Sequence, residues 1–265
     1  MTRIAVLGGG VMGEALIDGF QRRVTPKPVI VVAEKRAERA ADLVDRHGVI
    51  IAGPAEACAG ADVVILVVKP QDIRGLVADI ASSVEAGALV ISIAAGITTA
   101  LLEASMPLAN IVRAMPNTPA RIESGVTGIS AGALCGTQAL ERARLLLSSV
   151  GVVVEVPETL QDAVTAVSGS GPAYVFYLAE AMMAGAVELG MPADTARTSV
   201  VHTLLGAARL LEASDEEPAS LRAKVTSPGG TTAAAIAVLD SHGVQAIMRG
   251  AIEAACDRSR ELAGA

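Results

Sequence analysis

The chain has 265 residues, enough for about one to two domains and for a hydrophobic core without disulfide or metal staples. Its formal net charge of −7, with two Phe, two Tyr and no Trp, is the opposite of the basic, stacking surface that grips nucleic acid. No apolar run approaches the ~20 residues that cross a bilayer, and neither the cysteines (Cys58, Cys135, Cys256) nor the histidines (His47, His202, His242) have metal-ligand spacing.

Strand patterning opens at Arg3, which leaves no room for a leader and predicts a cytoplasmic protein. Apolar β-branched runs predict strands at 4–7, 29–33, 63–68, 89–93, 111–114, 126–130 and 152–156, with helices at about 11–22, 35–46, 72–83 and 137–149. Continuous apolar strands alternating with helices predict an α/β fold, a doubly wound, Rossmann-like sheet covered on both faces. The short connections between the later strands predict some antiparallel pairing at the far edge.

The first strand runs into "IAVLGGGVMG", a Gly8-x-Gly10-x-x-Gly13 loop that opens a helix, with Gly9, Val11 and Met12 between the spaced glycines. Gly8 allows the tight turn, Gly10 a close backbone approach to pyrophosphate, and Gly13 close packing of helix on strand. The helix start offers unpaired N–H groups to the anion. At the end of the second strand, Glu34 occupies the place of an acid that holds the ribose 2′-hydroxyl of NAD. Lys35 and Arg36 beside it suit the 2′-phosphate of NADP, so NADP(H) is favoured and NAD(H) stays open. Three further loops follow predicted strands: Val68-Lys69-Pro70, Ala94-Ala95-Gly96 and the "MPNTP" turn around Asn117. Each alone reads as a plain turn; together, at strand ends, they are expected to line the ligand crevice.

Beyond Pro157 the strand patterning stops, and helices are predicted at 158–167, 172–189, 193–213, 218–225, 230–240 and 243–262. Two domains are expected, a dinucleotide-binding domain at 1–157 and an all-helical one at 158–265. Helices such as "YLAEAMMAGAVELG" are apolar around most of their circumference and need burial. A domain of this size has too little interior for several of them, which predicts an oligomer sharing a core; a compact monomeric bundle is the alternative. Glycine breaks interrupt the helices at "SGSGP" (168–172) and at "VTSPGGTT" (225–232). In the second, Pro228-Gly229-Gly230 breaks the chain and Thr231-Thr232 opens a helix, an arrangement that suits a carboxylate as well as a phosphate. A cap accounts for one hydroxyl there, not for four around two glycines.

The segments "LGGGVMG", "VVKPQ", "SIAAGIT", "RAMPNTPA", "DAVTAVSGSGPAY" and above all "VTSPGGTTAAAIAVLD" together resemble the pyrroline-5-carboxylate reductases across essentially the whole chain. The resemblance implies NAD(P)H-dependent hydride transfer to the C=N bond of 1-pyrroline-5-carboxylate, giving L-proline, the last step of proline synthesis. It implies coenzyme contacts from Gly9 to Met12, Lys35, Val68, Lys69 and Ala95. Substrate contacts are implied at Glu158, Lys224, Thr231 and Thr232, with Ser227 nearby. It also implies a homodimer through the helical domain and, in many members, a decamer built as a pentamer of dimers. The chain departs from the family at Pro54, where many members carry an asparagine that meets the adenosine ribose. Thr232 is expected to act catalytically as a hydrogen-bond donor toward the ring nitrogen, while N–H groups around Gly230–Thr232, with Ser227, hold the carboxylate. Alternative readings are a reductase of another cyclic imine, a hydroxy-acid dehydrogenase using Lys224, and a noncatalytic NADP-sensing scaffold, which would need no second anion loop.

Overall fold

The computed structural model describes residues 2–263. The apolar runs of the first half become strands β1 (Arg3–Leu7), β2 (Val29–Ala33), β3 (Ile50–Ile51), β4 (Val63–Leu66), β5 (Leu89–Ser92), β6 (Asn110–Met115), β7 (Gly125–Ala131) and β8 (Gly151–Glu155). Helices α1 (Val11–Arg23), α2 (Ala37–His47), α3 (Pro54–Cys58), α4 (Ile73–Ile80), α5 (Thr99–Ser105) and α6 (Thr137–Leu147) alternate with them. The sheet order is β3-β2-β1-β4-β5-β6-β7-β8, which reverses direction between β1 and β4, the usual switch point of a dinucleotide fold.

Strands β1 to β6 pair in parallel, and the expected antiparallel pairing occurs at one junction, β6 with β7. Strand β8 lies parallel to β7, because α6 carries the chain back across before β8 begins. Successive strand residues face opposite layers. Ile4, Val6, Val63 and Ile65 pack with Leu16, Phe20 and Leu147 on one face, while Ala5, Leu7, Val64 and Leu66 pack with Ile73, Val77 and Ile80 on the other. Burial on both faces is why these strands read as unbroken apolar runs.

Three elements carry no signal of that kind. The β3 isoleucines are 51% and 36% exposed, and α3 and α5 are too short to show a helical period. The region expected as one helix at 158–167 is instead a tight turn at Glu158–Leu160, helix α7 (Gln161–Val164) and a wide π-helical turn over Thr165–Gly169. The Ser170 N–H reaches back to the Thr165 carbonyl at 2.8 Å, and the Thr165 and Ser168 hydroxyls donate to the Gln161 and Val164 carbonyls. Such side-chain competition for backbone carbonyls loosens an α-helix, and the following glycines permit the wider turn.

The remaining helices are α8 (Gly171–Glu188), α9 (Ala193–Glu212), α10 (Pro218–Lys224), α11 (Thr231–Ser241) and α12 (Val244–Ala263). The chain divides into two compact units: one reaches Ser170 and includes the stretch from Ala254, and the other is Gly171–Glu253. The first holds both layers of the core. In the second, α8, α10 and α11 bury no residue and α9 buries only Ala196 and Val200. Phe176 and Tyr177 stand 68% and 77% exposed, so the helical unit presents apolar faces without an interior of its own. Among the described residues no helix is long and apolar enough to cross a membrane, and no cluster of His, Cys, Asp and Glu could hold a metal.

Candidate coenzyme and carboxylate sites

The parallel registers Leu7↔Ala33, Leu7↔Leu66, Leu66↔Ser92 and Ser92↔Arg113 set the strand ends level. Gly8–Gly13, Glu34–Arg36, Val67–Pro70, Ile93–Gly96 and Pro116–Asn117 therefore emerge at one end of the sheet. Gly8 has φ +120°, and a Cβ on it would lie 2.3 Å from the Val67 carbonyl oxygen. A Cβ on Gly13 would lie 2.1 Å from the Gly8 carbonyl oxygen, whereas one on Gly10 would meet nothing within 4 Å. Two glycines are thus required by the protein's own packing, and the middle one leaves an open approach. No side chain caps α1 at Gly10, so the first-turn N–H groups remain available to an anion. This geometry fits a dinucleotide pyrophosphate.

Glu34 turns into the protein. Its Oε2 accepts the Gly9 N–H at 3.0 Å, and its Oε1 accepts both the backbone N–H and the Nε–H of Arg36 at 3.0 Å. Burial alone would raise the Glu34 carboxyl, yet the hydrogen bonds and charge of Arg36, with the Gly9 N–H, hold it below its ordinary value. Lys35 and Arg36 are exposed beside it. Val68 packs on the core while Lys69 is exposed and Pro70 opens a short turn. Ala94 is buried, Ala95 half-buried, and Gly96 adopts φ +76°. Pro54 stands at the first position of α3, after Gly53.

Asn117 is 9% exposed, and both ends of its carboxamide are engaged. Its Oδ1 accepts the Val126 N–H at 2.9 Å and its Nδ2 donates to the Ser168 carbonyl at 3.0 Å. Glu158 accepts the Thr99 N–H at 2.8 Å and the Thr99 hydroxyl at 2.6 Å, so its charge sits at the start of α5, and Arg113 Nη1 lies 3.4 Å away. Nothing in the sequence pointed to Thr99 or Arg113 as partners of Glu158; they are 59 and 45 positions distant.

Sequence reasoning also missed a network at the first turn of α1. Glu14 accepts Arg39 Nη2 at 2.6 Å and faces Arg46 Nη1 at 2.5 Å and His47 Nε2 at 3.2 Å. Burial acts to raise the Glu14 carboxyl, but hydrogen bonds from Arg39 and His47 and the Arg39 and Arg46 charges hold it below its ordinary 4.5. With the folded value lower than the unfolded one, the stabilisation is complete above about pH 5 and is lost as pH falls through the lowered value. Glu14→Gln should lower the melting temperature at pH 7 by about 3 °C, with the gap to the parent closing toward pH 3. A melting series over that range checks it; a gap that stays constant would remove Glu14 as its source.

In the helical unit, "VTSPGGTT" folds as a tight turn running into α11. Gly230 N–H donates to the Ser227 carbonyl at 3.0 Å across Pro228-Gly229, and Gly229 has φ +71°. Proline then glycine with positive φ is the type II signature. The Thr226 hydroxyl is taken up by the Arg222 carbonyl at 2.7 Å. The hydroxyls of Ser227, Thr231 and Thr232 make no hydrogen bond within the described residues, and no side chain caps α11 at Gly230. A turn of three available hydroxyls and free N–H groups at a helix start has the donors to hold a small anion such as a carboxylate. Lys224, 64% exposed at its side chain, pairs with Glu216 at 2.6 Å.

Comparison with known proteins matches a different family to each half of the chain. Residues 158–262 match the family described as pyrroline-5-carboxylate reductase dimerisation, so the uncovered apolar helix faces are those of a homodimer. Residues 3–96 match the family described as NADP oxidoreductase coenzyme F420-dependent. The pyrroline-5-carboxylate reductase of Corynebacterium melassecola is 41% identical over 267 residues, spanning 99% of both chains. That of Pseudomonas aeruginosa is 42% identical over 98% of this chain and 97% of its own. The solved pyrroline-5-carboxylate reductase of Coxiella burnetii superposes with a TM-score of 0.90 at 36% identity, covering 98% of each chain. With the glycine loop at the sheet switch point and the hydroxyl-rich turn at the start of α11 both in place, the chain belongs to the pyrroline-5-carboxylate reductase family of oxidoreductases.

Proposed function

We propose that the chain reduces 1-pyrroline-5-carboxylate to L-proline in the cytoplasm, with NADPH as preferred coenzyme and NADH as a second. The observation that carries this reading is the α11 start, where free N–H groups and three available hydroxyls make a second anion site in addition to the dinucleotide loop. The coenzyme supplies a hydride to the imine carbon when bound. Gly8 to Gly13 hold its pyrophosphate, Lys35 and Arg36 its 2′-phosphate, and Val68, Lys69, Pro70 and Ala94 to Gly96 line its path. Glu34 and Asn117 act through the loops to which they are bonded. Glu158 fixes Thr99 and with it the loop that starts at Ala94.

Ser227 and Thr231 take the substrate carboxylate with the N–H groups of Thr231 and Thr232, whereas the Gly230 N–H, expected among them, is already given to the Ser227 carbonyl. The exposed Lys224, paired with Glu216, is the cation beside the turn. A cyclic imine can arrive protonated and needs no strong acid from the protein. Hydride addition at carbon returns a lone pair to nitrogen, and the Thr232 hydroxyl donates to it as it forms, an interaction stronger in the transition state than in the ground state. Orientation of the two reactants supplies the larger part of the rate. The homodimer is proposed to assemble further into a pentamer of dimers, which sedimentation of the full chain would test.

Coenzyme oxidation with 1-pyrroline-5-carboxylate, run with NADPH and NADH and repeated with the six-membered homologue, tests the activity. No oxidation with any imine would overturn it. Thr232→Ala should lower kcat/KM by about 10-fold, the loss of one hydrogen bond made to the reacting nitrogen. An unchanged kcat/KM would remove Thr232 from the chemistry.

A further inference from the structure

Gly9 is gripped on both sides. Its N–H donates to Glu34 Oε2 at 3.0 Å, and its carbonyl accepts Arg39 Nε–H at 2.7 Å. Arg39 is itself fixed: Nη2 donates to Glu14 at 2.6 Å, Nη1 donates to Asp42, and only 19% of the side chain is exposed. The Gly9 carbonyl and the Gly10 N–H belong to one planar trans peptide and point opposite ways. A carbonyl held toward Arg39 therefore turns the Gly10 N–H away from it, on the stretch where an added Cβ meets nothing within 4 Å. A peptide between two glycines flips with little steric resistance. The flipped form would aim a carbonyl dipole, rather than an N–H, at an incoming phosphate.

We infer that Arg39 is a positioning residue for the dinucleotide: by holding the Gly9 carbonyl it fixes the Gly9–Gly10 peptide with its N–H toward the coenzyme pyrophosphate. The inference rests on the coenzyme site proposed above. Glu34 does the same for the preceding peptide, whose Gly8 carbonyl faces Gly13. Arg39 acts on the pyrophosphate, the part that NADPH and NADH share, whereas a residue that binds the 2′-phosphate would affect NADPH alone.

The test is calorimetric titration of the full-length enzyme with NADPH and with NADH, for the parent, Arg39→Met and Arg39→Lys. Arg39→Met should weaken both coenzymes by the same factor, about tenfold, with kcat at saturating coenzyme and the KM for the imine little changed. Arg39→Lys keeps the charge beside Glu14 and Asp42 but lacks the planar fork, and should fall between. Equal affinity in a folded Arg39→Met protein, or a loss confined to NADPH, would overturn the inference. If circular dichroism shows that Arg39→Met does not fold, Arg39→Lys decides alone, and parental affinity for both coenzymes would overturn it. Failure of the parent to bind either coenzyme would instead remove the coenzyme site, and this inference with it.

Discussion

Gly13→Val is expected to weaken coenzyme binding by about 100-fold or more, the scale on which a misplacement of about 1 Å acts in an organised site. The clash is with backbone: the first side-chain carbon alone would sit 2.1 Å from the Gly8 oxygen and 3.2 Å from its carbon. Gly8 cannot retreat, because its own Cβ position is 2.3 Å from the Val67 carbonyl at the end of β4. Either α1 lifts from β1, or the loop moves into the neighbouring strand, and in both cases the N–H groups leave their places. Overpacking should also cost about 1–3 kcal/mol of stability. Gly10→Ala makes the informative contrast. Its Cβ meets no protein atom within 4 Å, so the variant should melt like the parent and still bind coenzyme more weakly. Calorimetric titration beside a melting curve separates the two; a Gly13→Val protein with parental affinity would show that the loop is not the coenzyme site.

The sheet was legible because its strands are buried on both sides and so spell apolar runs, Val63 to Leu66 being the plainest. The fingerprint was legible because glycine spacing reflects steric limits inside the loop itself. Partners distant in sequence were not legible. Glu34 stood at the place of a ribose ligand, and no local pattern says that its carboxylate turns to Gly9 and Arg36. Arg39 lies in "EKRAERAADL", which reads as a solvated helix start, and only the fold brings it to Gly9, 30 residues earlier. The sequence presents the four hydroxyls of "VTSPGGTT" as equals, yet Thr226 is withdrawn by an ordinary i−4 bond to Arg222.

Arg113→Met should lower stability by about 3 kcal/mol, near the lower end for stranding a buried charge, and so the melting temperature by roughly 6–12 °C. Arg113 is 6% exposed at its side chain, with Glu158 at 3.4 Å and Asp162 at 3.8 Å as its acidic neighbours. Methionine fills the space and leaves two carboxylates, 28% and 20% exposed, without their counter-charge. Asp162 keeps the Ser259 hydroxyl at 2.7 Å and Glu158 keeps Thr99, so neither loses every partner. That is why the lower end of the range applies. Glu158→Gln alone should also destabilise, since a neutral amide binds the Thr99 N–H less strongly than a carboxylate does. In the Arg113 variant the same change removes a stranded charge, so the double substitution should be less harmful than the sum of the singles. Additive losses in melting curves at fixed protein concentration would mean that Arg113 and Glu158 are not coupled. The 3.4 Å contact would then contribute nothing, leaving Thr99 as the partner that fixes Glu158.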